Sequence, residues 1–134
     1  MPKGYRRIQV GQIVTYIKKH LKGKYWHDAL RVCQSEGASL VKMDSRKKKR
    51  LVDIKFGRVD WMWIGLKDVF KNDTFYWTDG EPLTNIEAWK PGEPSHMFVG
   101  VDEDCVESRH GHKYMAHVSC NLLRGYLCET DPLK

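Results

Sequence analysis

At 134 residues with 41% hydrophobic content, the chain suits a single domain over residues 1–134, built around one core. No apolar run is long enough to cross a membrane, and "MPKGYRRIQV" lacks the apolar stretch of a secretory leader, so the compartment must be read elsewhere. The 23 basic side chains exceed the 17 acidic ones, and a net charge of +6 mildly favours anionic partners.

"QIVTYIKK", Gln12 to Lys19, is β-branched and aromatic and predicts a strand. Apolar residues at Trp26, Ala29, Leu30 and Cys33 then form a one-sided stripe with helical spacing. Gly37, which tolerates left-handed geometry, ends that helix. "ASLVKM" predicts a short strand. Ser45 is placed to cap a second helix running to about Phe56, with Leu51, Val52 and the stem of Lys55 facing inward. "WMWIGL", Trp61 to Leu66, is continuously apolar, as in a strand buried on both faces. "TFYW" is a further strand, stopped by "TDG". Residues 80–102 carry prolines and glycines with little periodicity and predict one long irregular loop, a length that is commonly functional. Cys105 to Cys120 predicts a hairpin around "HGHK", and "GYLCE" a closing strand. Helices first and strands later imply an α+β domain.

Cys33, Cys105, Cys120 and Cys128 contain no C-x-x-C pair, which argues against a zinc knuckle or a thioredoxin-type centre. An even number spread over a small domain fits disulfides formed in an oxidising compartment, with three pairings open, against the alternative of four buried thiols.

Together these segments resemble the C-type lectin-like domain, from about Gly4 to Glu129. The resemblance is carried by "YWHDALRVCQSEGASLV", "WIGL" at 63–66, "FYWTDGEPL", "WKPGEP" at 89–94, "EDCV" at 103–106 and "YLCE" at 126–129, in that order. It implies two helices flanking antiparallel sheets, with disulfides Cys33–Cys128 and Cys105–Cys120. It also implies the short form of the fold, because no cysteine precedes Cys33. Sugar-binding members hold calcium with a Glu-Pro-Asn or Gln-Pro-Asp motif, a following glutamate, and an Asn-Asp pair. Carried over, the first motif falls on Glu93, Pro94 and Ser95, with a cis bond expected before Pro94, and the glutamate on Glu103. The Asn-Asp pair falls on Ala116 and His117, and Met115 stands where tryptophan is usual. Calcium takes roughly six to eight oxygen ligands, and an imidazole suits it poorly, so the expectation is weak or absent calcium binding. An auxiliary calcium site maps to Asp68, Asn72, His96, Glu103 and Asp104, of which three are acidic, enough for a weak site, and a solvated acidic loop is the favoured reading.

His96, His110, His112 and His117 gather in the last third. A zinc or copper ion held through His117 with Glu93 and Glu103 is chemically reasonable, but an ion pair between His117 and a glutamate is the favoured reading. "RKKKR", Arg46, Lys47, Lys48, Lys49 and Arg50, opposes the dipole at the start of the second helix. It is either a patch for sulfated polyanions or a solvated face. Nucleic acid does not fit an extracellular disulfide-bonded domain. The five tryptophans are expected in the core, with only Trp89 kept as a contact residue, and no nucleophile motif suggests an enzyme.

The resemblance thus implies a secreted, extracellular carbohydrate-binding lectin. Its partners would be glycans or glycoproteins, bound through Glu93, Ser95, Glu103 and His117 with little calcium dependence. The alternative is a lectin-fold module for proteins or polyanions, in which the sugar site is vestigial.

Overall fold

The computed structural model describes residues 3–56, 61–68, 74–83, 105–109 and 115–131. In chain order the elements are β1 (Arg6–Val10), β2 (Ile13–Lys24), α1 (Trp26–Ser35), β3 (Ser39–Leu40) and α2 (Arg46–Phe56). They continue with β4 (Trp61–Lys67), β5 (Tyr76–Trp77), β6 (Cys105–Arg109), β7 (Ala116–Val118) and β8 (Arg124–Thr130). The strands form one sheet ordered β1-β2-β8-β4-β6-β7, with β3 paired to β8 and β5 to β4. Its pairs are antiparallel except β4 with β8, where Met62 faces Gly125 and Trp63 faces Tyr126. The last strand therefore sits at the centre of the sheet.

Strand β4 divides the core. Met62, Ile64 and Leu66 point into one cluster with Val52, Phe56 and Leu127, on the α2 side. Trp63 points into the other, with Trp26, Ala29, Cys33 and Tyr126, on the α1 side. An apolar run without alternation is what two covered faces require, so "WMWIGL" reads as it packs. The indole groups of Trp26 and Trp63 donate to Ile64 O (2.9 Å) and Lys24 O (2.8 Å), so neither buried N–H is left unpaired. Between β4 and β3 the backbones nearly touch. A Cβ on Gly65 would lie 2.6 Å from Leu40 O, so only glycine fits there.

Helix α1 ends as its sequence suggests. Gly37 adopts φ 75°, and its N–H reaches Gln34 O while that of Ala38 reaches Cys33 O, the paired bonds of a Schellman end. Ser45 Oγ accepts from Lys48 N at 3.1 Å and caps α2. The disulfides are Cys33–Cys128 and Cys105–Cys120. The first ties α1 to β8 across 95 residues, a closure that stabilises by roughly 4–5 kcal/mol through the entropy it removes from the unfolded chain.

Two expectations need correction, and one strand was not anticipated. Arg6–Val10 is a strand, and β2 runs on to Lys24, well past Lys19. The inner face of α2 is Lys49, Val52 and Phe56, while Leu51 is only half-buried and Lys55 is exposed. The spacing i, i+3, i+7 selects that face, and Asp53 neutralises Lys49 on it.

Candidate functional site

Hairpin β6–β7 carries the positions that decide the calcium question. Cys105 pairs with Val118, Val106 with His117 and Glu107 with Ala116, and the Cys105–Cys120 bridge locks the hairpin base. Ala116 is 8% exposed and His117 is 3% exposed, with its ring edge-on to Phe75 at 5.7 Å between centroids. An alanine methyl offers no ligand, and an imidazole packed on a phenyl ring offers a soft nitrogen to a hard ion. The donor set at these two positions therefore does not fit calcium. Asp68, at the end of β4, is fully buried and is not a group lying in solvent. Glu93, Ser95, Glu103 and Asp104 lie outside the described residues, as do Asn72, His96, His110, His112, Trp89 and the Glu93–Pro94 bond.

Among the described residues, one group of three potential metal ligands converges: His20, Glu36 and Cys128. The Cys128 sulfur is already spent in a disulfide, so it brings no thiolate. What remains is a structural network. Glu36 accepts from Tyr5 Oη (2.7 Å), lies 3.3 Å from His20 Nε2 and 3.8 Å from Lys18 Nζ, and His20 stacks on Tyr126. Burial acts to raise the Glu36 pKa, but the hydrogen bonds from Tyr5 and His20 and the charge of Lys18 outweigh it and hold the carboxyl below its usual range. The cluster pins the chain before β1 to the end of α1.

The basic run is not uniformly exposed. Lys48 Nζ is 2.7 Å from Glu129 Oε2, and Lys49, 7% exposed, pairs with Asp53 one turn on. Arg46, Lys47 and Arg50 are exposed. Lys48 ties the helix to β8, Lys49 is neutralised within α2, and the other three lie on the exposed face.

One feature has no signature in the sequence. A groove of about 540 Å³ runs between α1, which contributes Trp26, His27, Leu30 and Gln34, and the β5 turn, which contributes Tyr76, Trp77, Thr78 and Gly80. Lys67 and Ser39 complete its lining. The volume falls within the range of about 300–1,000 Å³ typical of small-ligand sites. These residues come from four elements and form no motif, so only the tertiary fold assembles them.

Comparison with known proteins matches this architecture. The family model of the lectin C-type domain covers residues 22–130. CD209 antigen-like protein A of Mus musculus is 35% identical over 88 residues, covering 64% of this chain and 36% of its own length. CD209 antigen of Nomascus concolor is 34% identical over 110 residues, covering 79% and 26%. The chain thus spans about a quarter to a third of these curated relatives. Among solved structures, the mouse scavenger receptor C-type lectin carbohydrate-recognition domain superposes with a TM-score of 0.84 at 22% identity, over 98% of each chain. The cow CD23 C-type carbohydrate-recognition domain, solved in the presence of GlcNAc2Man3 oligosaccharide, gives 0.82 at 25% identity, over 98% and 95%. A calcium-independent type II antifreeze protein gives 0.79 at 19% identity, over 98% and 94%, a likeness of fold alone.

Proposed function

Since the chain belongs to the C-type lectin domain family, we propose that it binds glycans with little or no dependence on calcium. The single observation that carries the second half is the pair Ala116–His117. At the positions where an amide and a carboxylate would hold the ion, one side chain has no donor atom and the other is an imidazole buried against Phe75. Glu93, Ser95 and Glu103 would then meet sugar hydroxyls by direct hydrogen bonds, without an ion between them. Two disulfides support a site outside the cell or in its secretory lumen, where such bridges persist. We assign the domain no catalytic role, in keeping with a family of binding modules.

The test is a glycan array probed with calcium and again with EDTA. The expected result is the same set of bound glycans in both. Binding that disappears with chelator refutes the reading.

A second reading rests on the exposed cations Arg46, Lys47 and Arg50, together with the net charge of +6. They support a salt-sensitive contact with sulfated glycans. Lys48 and Lys49 take no part in it, because each already holds a carboxylate.

A further inference from the structure

The groove between α1 and the β5 turn has the composition of a binding site. Its floor is indole: Trp26 and Trp77 are 4% and 3% exposed. Half-buried Tyr76 and exposed His27 present ring surface at its sides. Its rim is polar. Ser39 and Thr78 hydroxyls share a hydrogen bond of 2.8 Å, and Gln34 is exposed on the last turns of α1.

Charge gives the groove a sign. Lys67 Nζ lies 2.6 Å from His27 Nε2 and 5.6 Å from the Trp26 ring centroid. Among the described residues it has no carboxylate partner. Of the acids on the two walls, Asp28 pairs with Arg31 (3.3 Å) and Asp79 with Lys42 (2.8 Å), while Asp68, next to Lys67 in sequence, is fully buried. Burial first, then the positive charges of Lys67 and Arg31, lower the His27 pKa, so the ring is neutral at pH 7 and accepts from the ammonium. The wall opposite α1 is held in place. Lys42 Nζ reaches both Asp79 (2.8 Å) and Glu81 (2.7 Å), which fixes the turn bearing Thr78 and Gly80.

We propose that this groove is a second ligand site, distinct in its residues from Glu93, Ser95 and Glu103, and that it takes a carboxylate-bearing sugar residue. The carboxylate pairs with Lys67 beside His27. The apolar face of the pyranose ring lies against Tyr76 and the edge of Trp26, and its hydroxyls reach Gln34, Ser39 and Thr78. The ammonium matches a carboxylate, the aromatic floor the apolar face of a pyranose, and the hydroxyl-and-amide rim its hydroxyls, so the mixed lining favours an acidic sugar. The Lys67 ammonium, held beside a neutral imidazole and near the Trp26 ring, is positioned for such a pairing.

The experiment is a titration of the isotope-labelled domain with methyl glucuronide and with the methyl glycoside of N-acetylneuraminic acid, followed by amide chemical shifts. Saturable shifts at His27, Gln34, Lys67, Tyr76 and Thr78, equal in calcium and in EDTA, are expected from at least one of the two acids. Lys67→Gln and the exposed-site change Gln34→Glu should each weaken binding about tenfold. If Lys67→Gln lowers the melting temperature, Gln34→Glu, which touches no packing, decides. Three results overturn the proposal. They are no saturable shift at these amides with either acid, equal shifts from neutral methyl glucoside or inorganic sulfate, and affinity unchanged by Gln34→Glu. Failure of the calcium-independent reading would appear on the glycan array with EDTA, and it leaves this titration unaffected.

Discussion

Glu129 is the joint at which three elements meet, and removing it should cost more than any surface change on this domain. Its side chain is 16% exposed on β8. Oε2 accepts from Lys48 Nζ of α2 and from Thr15 Oγ1 of β2, both at 2.7 Å, and Oε1 accepts from the backbone N of Lys42 at 2.9 Å. Glu129→Ala deletes one ammonium bond, worth about 2 kcal/mol at this burial, and two bonds from neutral donors to an ionised acceptor, worth about 1 kcal/mol each. Lys48, 12% exposed, is left with a half-desolvated charge that partly recovers water. The expected net loss is about 3–4 kcal/mol, or a fall in Tm of roughly 10–14 °C for a chain of this size. Urea melts of Glu129→Ala, Lys48→Met and the double variant form a cycle whose coupling should be about 1–2 kcal/mol. Lys47→Ala, on the exposed face, should stay within about 0.5 kcal/mol of the parent. A loss below about 1 kcal/mol for Glu129→Ala, or zero coupling, would refute the view that Lys48 is structural.

Lys47→Gln with Arg50→Gln should lower the salt needed for elution from heparin while Tm is unchanged, since exposed charges act through a screened field; identical elution sinks the polyanion reading. Ala116→Asn with His117→Asp should create a calcium-dependent rise in Tm that the parent lacks, about 2.7 kcal/mol at a hundredfold excess over Kd, and a parent that already responds to calcium contradicts the site reading. In the Tyr5–Glu36 network, Glu36 has a depressed pKa, so its stabilisation is full above the ordinary value of 4.5 and is lost as pH falls through the lower folded value. Tyr5→Phe removes one donor to Glu36 and should move the acid-unfolding midpoint upward, and an unchanged midpoint argues against the coupling. The Tyr5 phenol is itself pushed up, first by burial and then by Glu36, so its own contribution is present below pH about 10 and fades above it.

Much of the frame could be read from the residues because local and tertiary demands agree. Helix α1 has its stripe and its Gly37 stop, Ser45 caps α2, and the unbroken apolar run of β4 reflects two covered faces. Strand β1 escaped because it is an edge with a single buried residue, Ile8, and one apolar contact makes no alternation. Lys49 looked solvated because a lysine is costly to bury, and only the fold shows that Asp53 makes that position neutral. The hairpin position of His117 was legible by alignment of motifs, whereas its contact with Phe75 depends on a strand remote in sequence. The groove was invisible for the same reason. Its cation, aromatic floor and hydroxyl rim are separated along the chain and meet only when β5 folds beside α1.

The central place of β8 has a consequence for how the protein is made. Residues 124–130 leave the ribosome after every other described element, yet they pair with β2, β3 and β4 and carry the partner of Cys33. Until they emerge, β1–β2 and β4–β6 are two ribbons with facing edges unpaired, and Cys33 is an unclosed thiol open to wrong partners such as Cys105. Vectorial folding from the N-terminus is therefore barred for this topology. The sheet cannot close until its last strand slides between the two ribbons, and a stall just short of residue 124 should yield a species that cannot reach the native fold.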